Sequence, residues 1–97
     1  MEKLTFEYPA SAVVAARAHV GVVASGDLEV LLEPASGRTA HVTVTTSVDG
    51  FGAVWRNVLD RFFGRFHAAV TLEINDFGAT PGLVMLRLEQ AAEAVRA

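Results

Sequence analysis

The residues in this sequence that could perform chemistry include three histidines, His19, His41 and His67. They fall in separate predicted elements, and no two have the short spacing at which a pair of helical histidines binds one metal ion. The chain contains no cysteine, which excludes disulfides, thiolate metal ligands and a cysteine nucleophile. We therefore expect no metal site, and histidines that are solvated or singly hydrogen-bonded.

Ser25 is the other candidate, because its hydroxyl could be a nucleophile or a point of attachment. With His19 and Asp27 nearby in sequence, it could belong to a hydrolase triad. However, the segment Ala24-Ser25-Gly26 lacks the first glycine of the G-x-S-x-G motif, and a strand rather than a helix is predicted to follow. Composition alone favours an ordinary turn serine. We expect no catalytic residue in the chain.

Charge and hydropathy exclude several classes of partner. Eight Lys and Arg against eleven Asp and Glu give a formal net charge of −3, without the basic excess that binding to nucleic acid or anionic membranes requires. No apolar run approaches the ~18 residues of a membrane-spanning helix. The Ala- and Val-rich residues 9–25 are interrupted by Arg17 and His19 and preceded by Glu2 and Glu7, unlike a signal peptide. We expect a cytoplasmic protein without nucleic-acid or membrane partners.

The elements that must position Ser25 are predicted from periodicity. Alternating apolar and polar residues, or continuous apolar runs, predict strands over residues 3–8, 18–24, 28–33, 40–47 and 70–75. Ser25-Gly26-Asp27 joins the second and third strands as a hairpin, since glycine adopts the positive φ of tight turns. A second turn, Pro34-Ala35-Ser36-Gly37-Arg38, precedes the fourth strand.

Two amphipathic helices complete the prediction. The first has a stripe of apolar residues at helical spacing, namely Phe51, Val54, Trp55, Val58, Leu59, Phe62, Phe63 and Phe66. The second begins with the cap signature Thr80-Pro81 and has Val84, Leu88, Ala91, Ala92 and Val95 on one face. Short links make most of the sheet antiparallel, and two helices can cover its apolar face. We predict a single α+β domain over residues 1–97, a two-layer sandwich.

The polar face of the first helix carries Arg56, Arg61 and Arg65. Asp60 follows Arg56 at the i, i+4 spacing at which ion pairs form on a helix. Such a face is ordinarily solvated. Its arginines could alternatively meet an acidic surface of a partner protein.

Several segments carry a family resemblance. Residues 21–31, GVVASGDLEVL, resemble the serine segment of the acyl carrier subunit (delta, or C) of malonate decarboxylase. Further matches are the segments TTSVD at 45–49, DFGATPG at 76–82 and RLEQ at 87–90, and the resemblance extends from Tyr8-Pro9-Ala10 to the last helix. The sequence departs from the family pattern at Ala24, where the family usually has glycine.

The resemblance implies that Ser25 carries a 2'-(5''-phosphoribosyl)-3'-dephospho-coenzyme A group through a phosphodiester. The chain would then be a non-catalytic carrier of acetyl and malonyl thioesters in the conversion of malonate to acetate and CO2. Implied partners are the acyltransferase (alpha) and decarboxylase (beta and gamma) subunits, a malonyl transacylase, and the phosphoribosyl-dephospho-CoA transferase that forms the holo-carrier. The alternatives are a carrier of the citrate lyase type and an unmodified protein-interaction module.

Overall fold

The computed structural model describes residues 1–96 and contains six strands and two helices. The strands are β1 (Glu2–Pro9), β2 (Ala12–Val13), β3 (Ala18–Gly21), β4 (Leu28–Pro34), β5 (Thr39–Thr46) and β6 (Ala68–Asp76). The helices are α1 (Gly52–Phe63) and α2 (Pro81–Val95). The order of the strands in the sheet is β1-β5-β6-β4-β3, and the short β2 pairs with the start of β6.

The sheet is mostly antiparallel, as predicted. The pairs β1–β5, β4–β6 and β3–β4 are antiparallel, whereas β5 and β6 run parallel and are connected through α1. β6 is the central strand and separates β4 from β5, so the turn at residues 34–38 does not join neighbouring strands. A parallel pair needs a crossover, which the helix provides. The predicted α+β class is confirmed.

The core lies between the sheet and the two helices. On the helix-facing side, the central strands contribute fully buried residues such as Val30, Val44, Leu72 and Ile74. On the opposite face, Glu7, His41 and other polar side chains are exposed. This alternation follows from the period of two along each strand. It fixes the register, because a slip by one residue would expose the entire apolar set.

Helix α1 packs through an aromatic cluster. The Phe62 ring stacks on Phe66 at 5.1 Å between centroids and meets Phe63 edge-on at 5.0 Å. The Tyr8 ring of β1 stacks on Phe63 at 4.4 Å. Phe62 is 2% exposed, so its replacement by a small side chain would leave a cavity. The predicted stripe is wrong at its first turn, where Phe51 and Val54 are exposed, and at its end, because α1 stops at Phe63 and the buried Phe66 lies beyond it.

The polar face of α1 differs from its predicted arrangement. Asp60 accepts a hydrogen bond of 2.6 Å from the Tyr8 hydroxyl, and Arg56 lies over the Phe6 ring at 5.0 Å from its centroid. Burial of the phenol, and then this hydrogen bond, raise the pKa of Tyr8. The two helix residues that spacing alone would pair therefore contact β1 instead.

Helix α2 begins as predicted. The Thr80 hydroxyl caps it by accepting a hydrogen bond of 3.2 Å from the Leu83 backbone N–H, and Pro81 occupies the first turn. All five residues predicted for its apolar face are buried. Across residues 1–96, no helix is both long enough and apolar enough to cross a membrane.

The strand before Ser25 is shorter than predicted. β3 ends at Gly21 rather than at Ala24, and six residues connect it to β4. Gly21 has φ +86°, and a Cβ at this position would lie 2.1 Å from the carbonyl oxygen of Leu28. The backbone therefore leaves the ladder at a position that only glycine fits. The side chains of Val22 and Val23, which follow, are exposed.

Candidate functional site

Ser25 lies at the tip of the connection between β3 and β4. The Asp27 backbone N–H donates a 3.0 Å hydrogen bond to the carbonyl oxygen of Ala24, which closes a four-residue turn with Ser25 and Gly26 at its centre. Gly26 has φ +78°, the feature of a type II turn at this position. A Cβ added to Gly26 would meet no atom within 4 Å, so space beside the exposed Ser25 is open.

The turn is fixed to the exit of β6 by two backbone hydrogen bonds. The Gly26 N–H donates to the carbonyl oxygen of Phe77 at 2.7 Å, and the Phe77 N–H donates to the carbonyl oxygen of Asp27 at 2.9 Å. These bonds extend the ladder between β4 and β6 beyond its last pair, Leu28 with Asp76. The exposed serine therefore lies in a turn that backbone hydrogen bonds hold in place.

An ion pair connects this turn to α2. The Arg87 guanidinium donates from Nη2 to Asp27 Oδ2 at 2.9 Å and from Nε to Asp27 Oδ1 at 3.3 Å. Asp27 Oδ1 also accepts a 2.7 Å hydrogen bond from the Leu28 N–H. The Arg87 hydrogen bonds, followed by the Leu28 N–H, lower the pKa of the Asp27 carboxyl below its ordinary value. Two-point pairing of this kind fixes direction as well as distance.

The groups that a triad would need are engaged elsewhere. Nε2 of His19 lies 2.9 Å from Glu29 Oε2, and Asp27 pairs with Arg87. The other two histidines are apart: Nδ1 of His41 lies 3.5 Å from Glu7 Oε2, and Nε2 of His67 lies 3.1 Å from the Gly64 carbonyl oxygen. In the part of the chain that the structure describes, no three His, Asp or Glu side chains form a group able to hold a metal ion.

A cavity of about 280 Å³ opens at the same end of the sheet, between the first turns of α1 and α2. Its walls are mainly apolar and include Trp55, Val58 and Val84, while the exposed Phe51 and Val54 also line it. We call this space the interhelix cavity. It adjoins the serine turn, because Gly78 lines it and a Cβ at Gly78 would lie 3.9 Å from the Gly26 backbone.

The interhelix cavity also has a buried polar pair. Thr46 and Asp76 are 1% and 4% exposed, and the Thr46 hydroxyl donates a 2.8 Å hydrogen bond to Asp76 Oδ2. Asp76 Oδ1 accepts from the Ala79 N–H at 3.0 Å, and the Thr46 hydroxyl accepts from the Val48 N–H at 3.1 Å. Asp76 ends β6, one residue beyond the strand predicted at 70–75, and no local pattern signals its contact with Thr46, because the two residues are 30 positions apart.

Comparison with known proteins identifies the family. The family model described as "Malonate decarboxylase delta subunit (MdcD)" matches residues 15–95. A malonate decarboxylase acyl carrier protein of Pseudomonas aeruginosa (strain UCBPP-PA14) is 55% identical over 94 residues, covering 96% of this chain and 95% of that protein. One from Pseudomonas putida (strain W619) is 51% identical over 96 residues, covering 98% and 97%. This chain belongs to the malonate decarboxylase acyl carrier family.

A solved structure supports the same membership. The chain is similar to a chain in the crystal structure of a Pseudomonas malonate decarboxylase hetero-tetramer in complex with malonate, with a TM-score of 0.94 and 48% identity. The match covers 99% of this chain and 100% of that chain. The resemblance inferred from the serine segment is therefore confirmed, and the acyl carrier family has the α+β fold described above.

Proposed function

We propose that this chain is the acyl carrier subunit of a malonate decarboxylase and that Ser25 carries its prosthetic group. The observation that supports this most directly is the setting of Ser25. Its hydroxyl is exposed on a turn that is held in place by Phe77 and Arg87. A carrier needs an attachment residue that a modifying enzyme can reach, and this residue must lie on a rigid part of the protein.

The residues at the turn fit a phosphodiester-linked group. Gly26 leaves the space beside the serine open, and the preceding Val22 and Val23 are exposed and do not enclose it. When bound, a 2'-(5''-phosphoribosyl)-3'-dephospho-CoA group supplies the thiol on which acetyl and malonyl units are carried as thioesters. This matches a chain that has no cysteine of its own. Ala24, where the family usually has glycine, is exposed and uses its carbonyl oxygen to close the turn, which alanine can do as well.

The chemistry on the carried acyl group belongs to partner subunits in this proposal. Loss of CO2 from a malonyl thioester leaves negative charge that oriented hydrogen-bond donors must stabilise. At the Ser25 turn, the nearby Asp27 and Arg87 neutralise each other, and the Gly26 and Phe77 N–H groups are already bonded. We assign acyl exchange to the alpha subunit and decarboxylation to the beta and gamma subunits, with malonyl transacylase and the phosphoribosyl-dephospho-CoA transferase as further cytoplasmic partners.

Intact-mass spectrometry tests the attachment site. The chain is produced together with its holo-carrier-forming transferase, as wild type, Ser25→Ala and Ser36→Ala. Ser36 is the matched control because it occupies an exposed Ala-Ser-Gly turn of its own. We expect the mass of the prosthetic group on wild type and Ser36→Ala, and the unmodified mass for Ser25→Ala.

The same experiment distinguishes the alternatives. Circular dichroism of Ser25→Ala should match wild type, because an exposed turn hydroxyl contributes within about 0.5 kcal/mol to stability. A modified Ser25→Ala would overturn the assignment to this residue. Absence of any added mass on wild type, in the presence of an active transferase, would instead favour an unmodified interaction module.

A further inference from the structure

We infer that the interhelix cavity is a resting site for the acetyl-thioester end of the carrier's own arm, and that it rejects the malonyl form. This inference rests on the proposed attachment at Ser25. It assigns a second, non-covalent site to the chain, formed by the first turns of α1 and α2 and the ends of β5 and β6.

The cavity lies close to the serine turn. Gly78 lines it, and a Cβ on Gly78 would lie 3.9 Å from the backbone of Gly26, which directly follows Ser25. A flexible arm attached to Ser25 therefore begins near the cavity and can fold back into it. The exposed side chains at the opening, Val48, Phe51 and Val54, are apolar, although their neighbours on the polar face of α1 are charged. Exposed apolar side chains grouped beside a cavity are a feature of ligand-binding grooves.

The size of the cavity sets the strength of binding. A volume of about 280 Å³ holds about ten non-hydrogen atoms, at ~30 Å³ each, which is the lower limit of small-molecule sites. Binding of so few atoms is weak, with dissociation constants of about millimolar for a free ligand. A short tether supplies an effective concentration that is also about millimolar. The arm would be bound about half the time, which protects the thioester and still releases it to a partner.

Charge determines which acyl group enters the cavity. The acetyl thioester is neutral, and its carbonyl and the amides of the arm suit apolar walls with a few polar atoms. The malonyl group ends in a carboxylate, which would be brought near the buried Asp76 carboxylate and away from water. Both the repulsion and the loss of hydration oppose its entry. The cavity therefore distinguishes the resting acetyl carrier from the loaded malonyl carrier.

Trp55 provides a direct test, because it is the one tryptophan of the chain and lines the cavity. Tryptophan emission is recorded for apo, holo, acetyl-holo and malonyl-holo protein, each verified by intact mass. Trp55 is 5% exposed, so its emission reports mainly on contacts within the cavity. We expect acetylation to change these contacts and to shift the emission, with no such shift for the malonyl form. Asp76→Asn should allow the malonyl form to produce part of the shift.

A chemical readout complements the spectroscopic one. The rate at which hydroxylamine cleaves the acetyl thioester should be about twofold lower in wild-type holo-protein than in a variant whose cavity is filled, Ala79→Phe, since about half of the arms are shielded. Val13→Phe is the control, because Val13 is 76% exposed and does not line this cavity. The acetyl thioester on Val13→Phe should be cleaved at the wild-type rate.

The outcomes separate the inference from the function on which it rests. If the protein acquires no prosthetic group, the proposed function itself fails. If the group is present but acetylation leaves Trp55 emission unchanged and the wild-type, Val13→Phe and Ala79→Phe proteins react equally fast, the resting site is wrong and the carrier function stands. Should Ala79→Phe not fold, the Trp55 comparison between acetyl and malonyl forms of wild type decides alone. Equal shifts for both forms would overturn the discrimination by Asp76.

Discussion

The chain contains the tripeptide Ala-Ser-Gly twice, at residues 24–26 and 35–37, in two turns at opposite ends of β4. Both serines are exposed, and both glycines have positive φ, +78° at Gly26 and +93° at Gly37. The two turns therefore share their tripeptide and a left-handed glycine. What differs is the residue that follows, Asp27 in one turn and Arg38 in the other.

The surroundings of the two turns distinguish them. The first turn is closed by its own hydrogen bond, is bonded twice to Phe77, and is paired through Asp27 with Arg87 of α2. In the second, the Ala35 N–H donates to the carbonyl oxygen of Ala69, and Arg38 has no ion-pair partner among residues 1–96. The two tripeptides therefore differ in tertiary setting: the first lies beside α2 and the interhelix cavity, and this difference underlies our proposal that Ser25 and not Ser36 is the attachment site.

The largest effect is expected at Gly21, where the chain enters the first turn. Gly21→Ala places a Cβ 2.1 Å from the Leu28 carbonyl oxygen at a φ of +86°, so both a steric conflict and left-handed strain arise. Adding about 1–2 kcal/mol of strain to about 1–3 kcal/mol of overpacking gives a loss of about 3 kcal/mol. Urea denaturation measures this loss in the free energy of unfolding. A loss below about 1 kcal/mol would show that the backbone can enter the turn in another conformation.

An intermediate effect is expected when the two turn glycines are compared. Gly26→Ala and Gly37→Ala should each destabilise the protein by about 1–2 kcal/mol, because both have positive φ and neither new Cβ meets an atom within 4 Å. Stability should therefore not distinguish the turns. Transfer of the prosthetic group should distinguish them, since Gly26→Ala adds a methyl group beside Ser25. Mass spectrometry over a time course measures the rate of this transfer. An equal slowing by Gly37→Ala would contradict the proposed difference between the two turns.

Much of the fold could be predicted from the sequence because its signals are local. The alternation in β1, the helical stripe from Trp55 to Phe63 and the cap at Thr80 each depend on neighbouring residues, and all are confirmed. The order of strands was not predicted, because the placement of β6 between β4 and β5 depends on contacts between distant segments. The two-residue β2 is too short to produce a periodic signal.

The site was less predictable than the fold for the same reason. The tight turn at Ser25 and Gly26 was apparent, since glycine in a polar tripeptide is a strong local signal. The pairing of Asp27 with Arg87 spans 60 residues, and that of Thr46 with Asp76 spans 30, so no local pattern reports either. Phe51 and Val54 fit the helical stripe by spacing, but at the first turn this face meets the cavity instead of the sheet.

The smallest effect is expected from the charge that follows each tripeptide. Asp27→Asn removes one partner of the Arg87 pair, whereas Arg38→Gln changes an exposed side chain at the equivalent position of the other turn. Because the pair holds the pKa of Asp27 below its ordinary value, the folded state binds its proton less readily than the unfolded chain does. The carboxylate therefore stabilises the fold above the unfolded pKa of about 3.9, and this contribution is lost as the pH falls through the lower, folded pKa.

Urea denaturation of wild type, Asp27→Asn and Arg38→Gln at neutral pH and in acid tests this dependence. Asp27→Asn should be less stable than wild type at neutral pH, and the difference should shrink as the solution is acidified. The difference between Arg38→Gln and wild type should not vary in this way, because arginine does not titrate in this range. Other carboxylates also titrate in acid, but they are common to all three proteins and cancel in the comparison. A constant difference between wild type and Asp27→Asn across the acid range would mean that Arg87 holds the turn through packing of its side chain and not through the charge of Asp27.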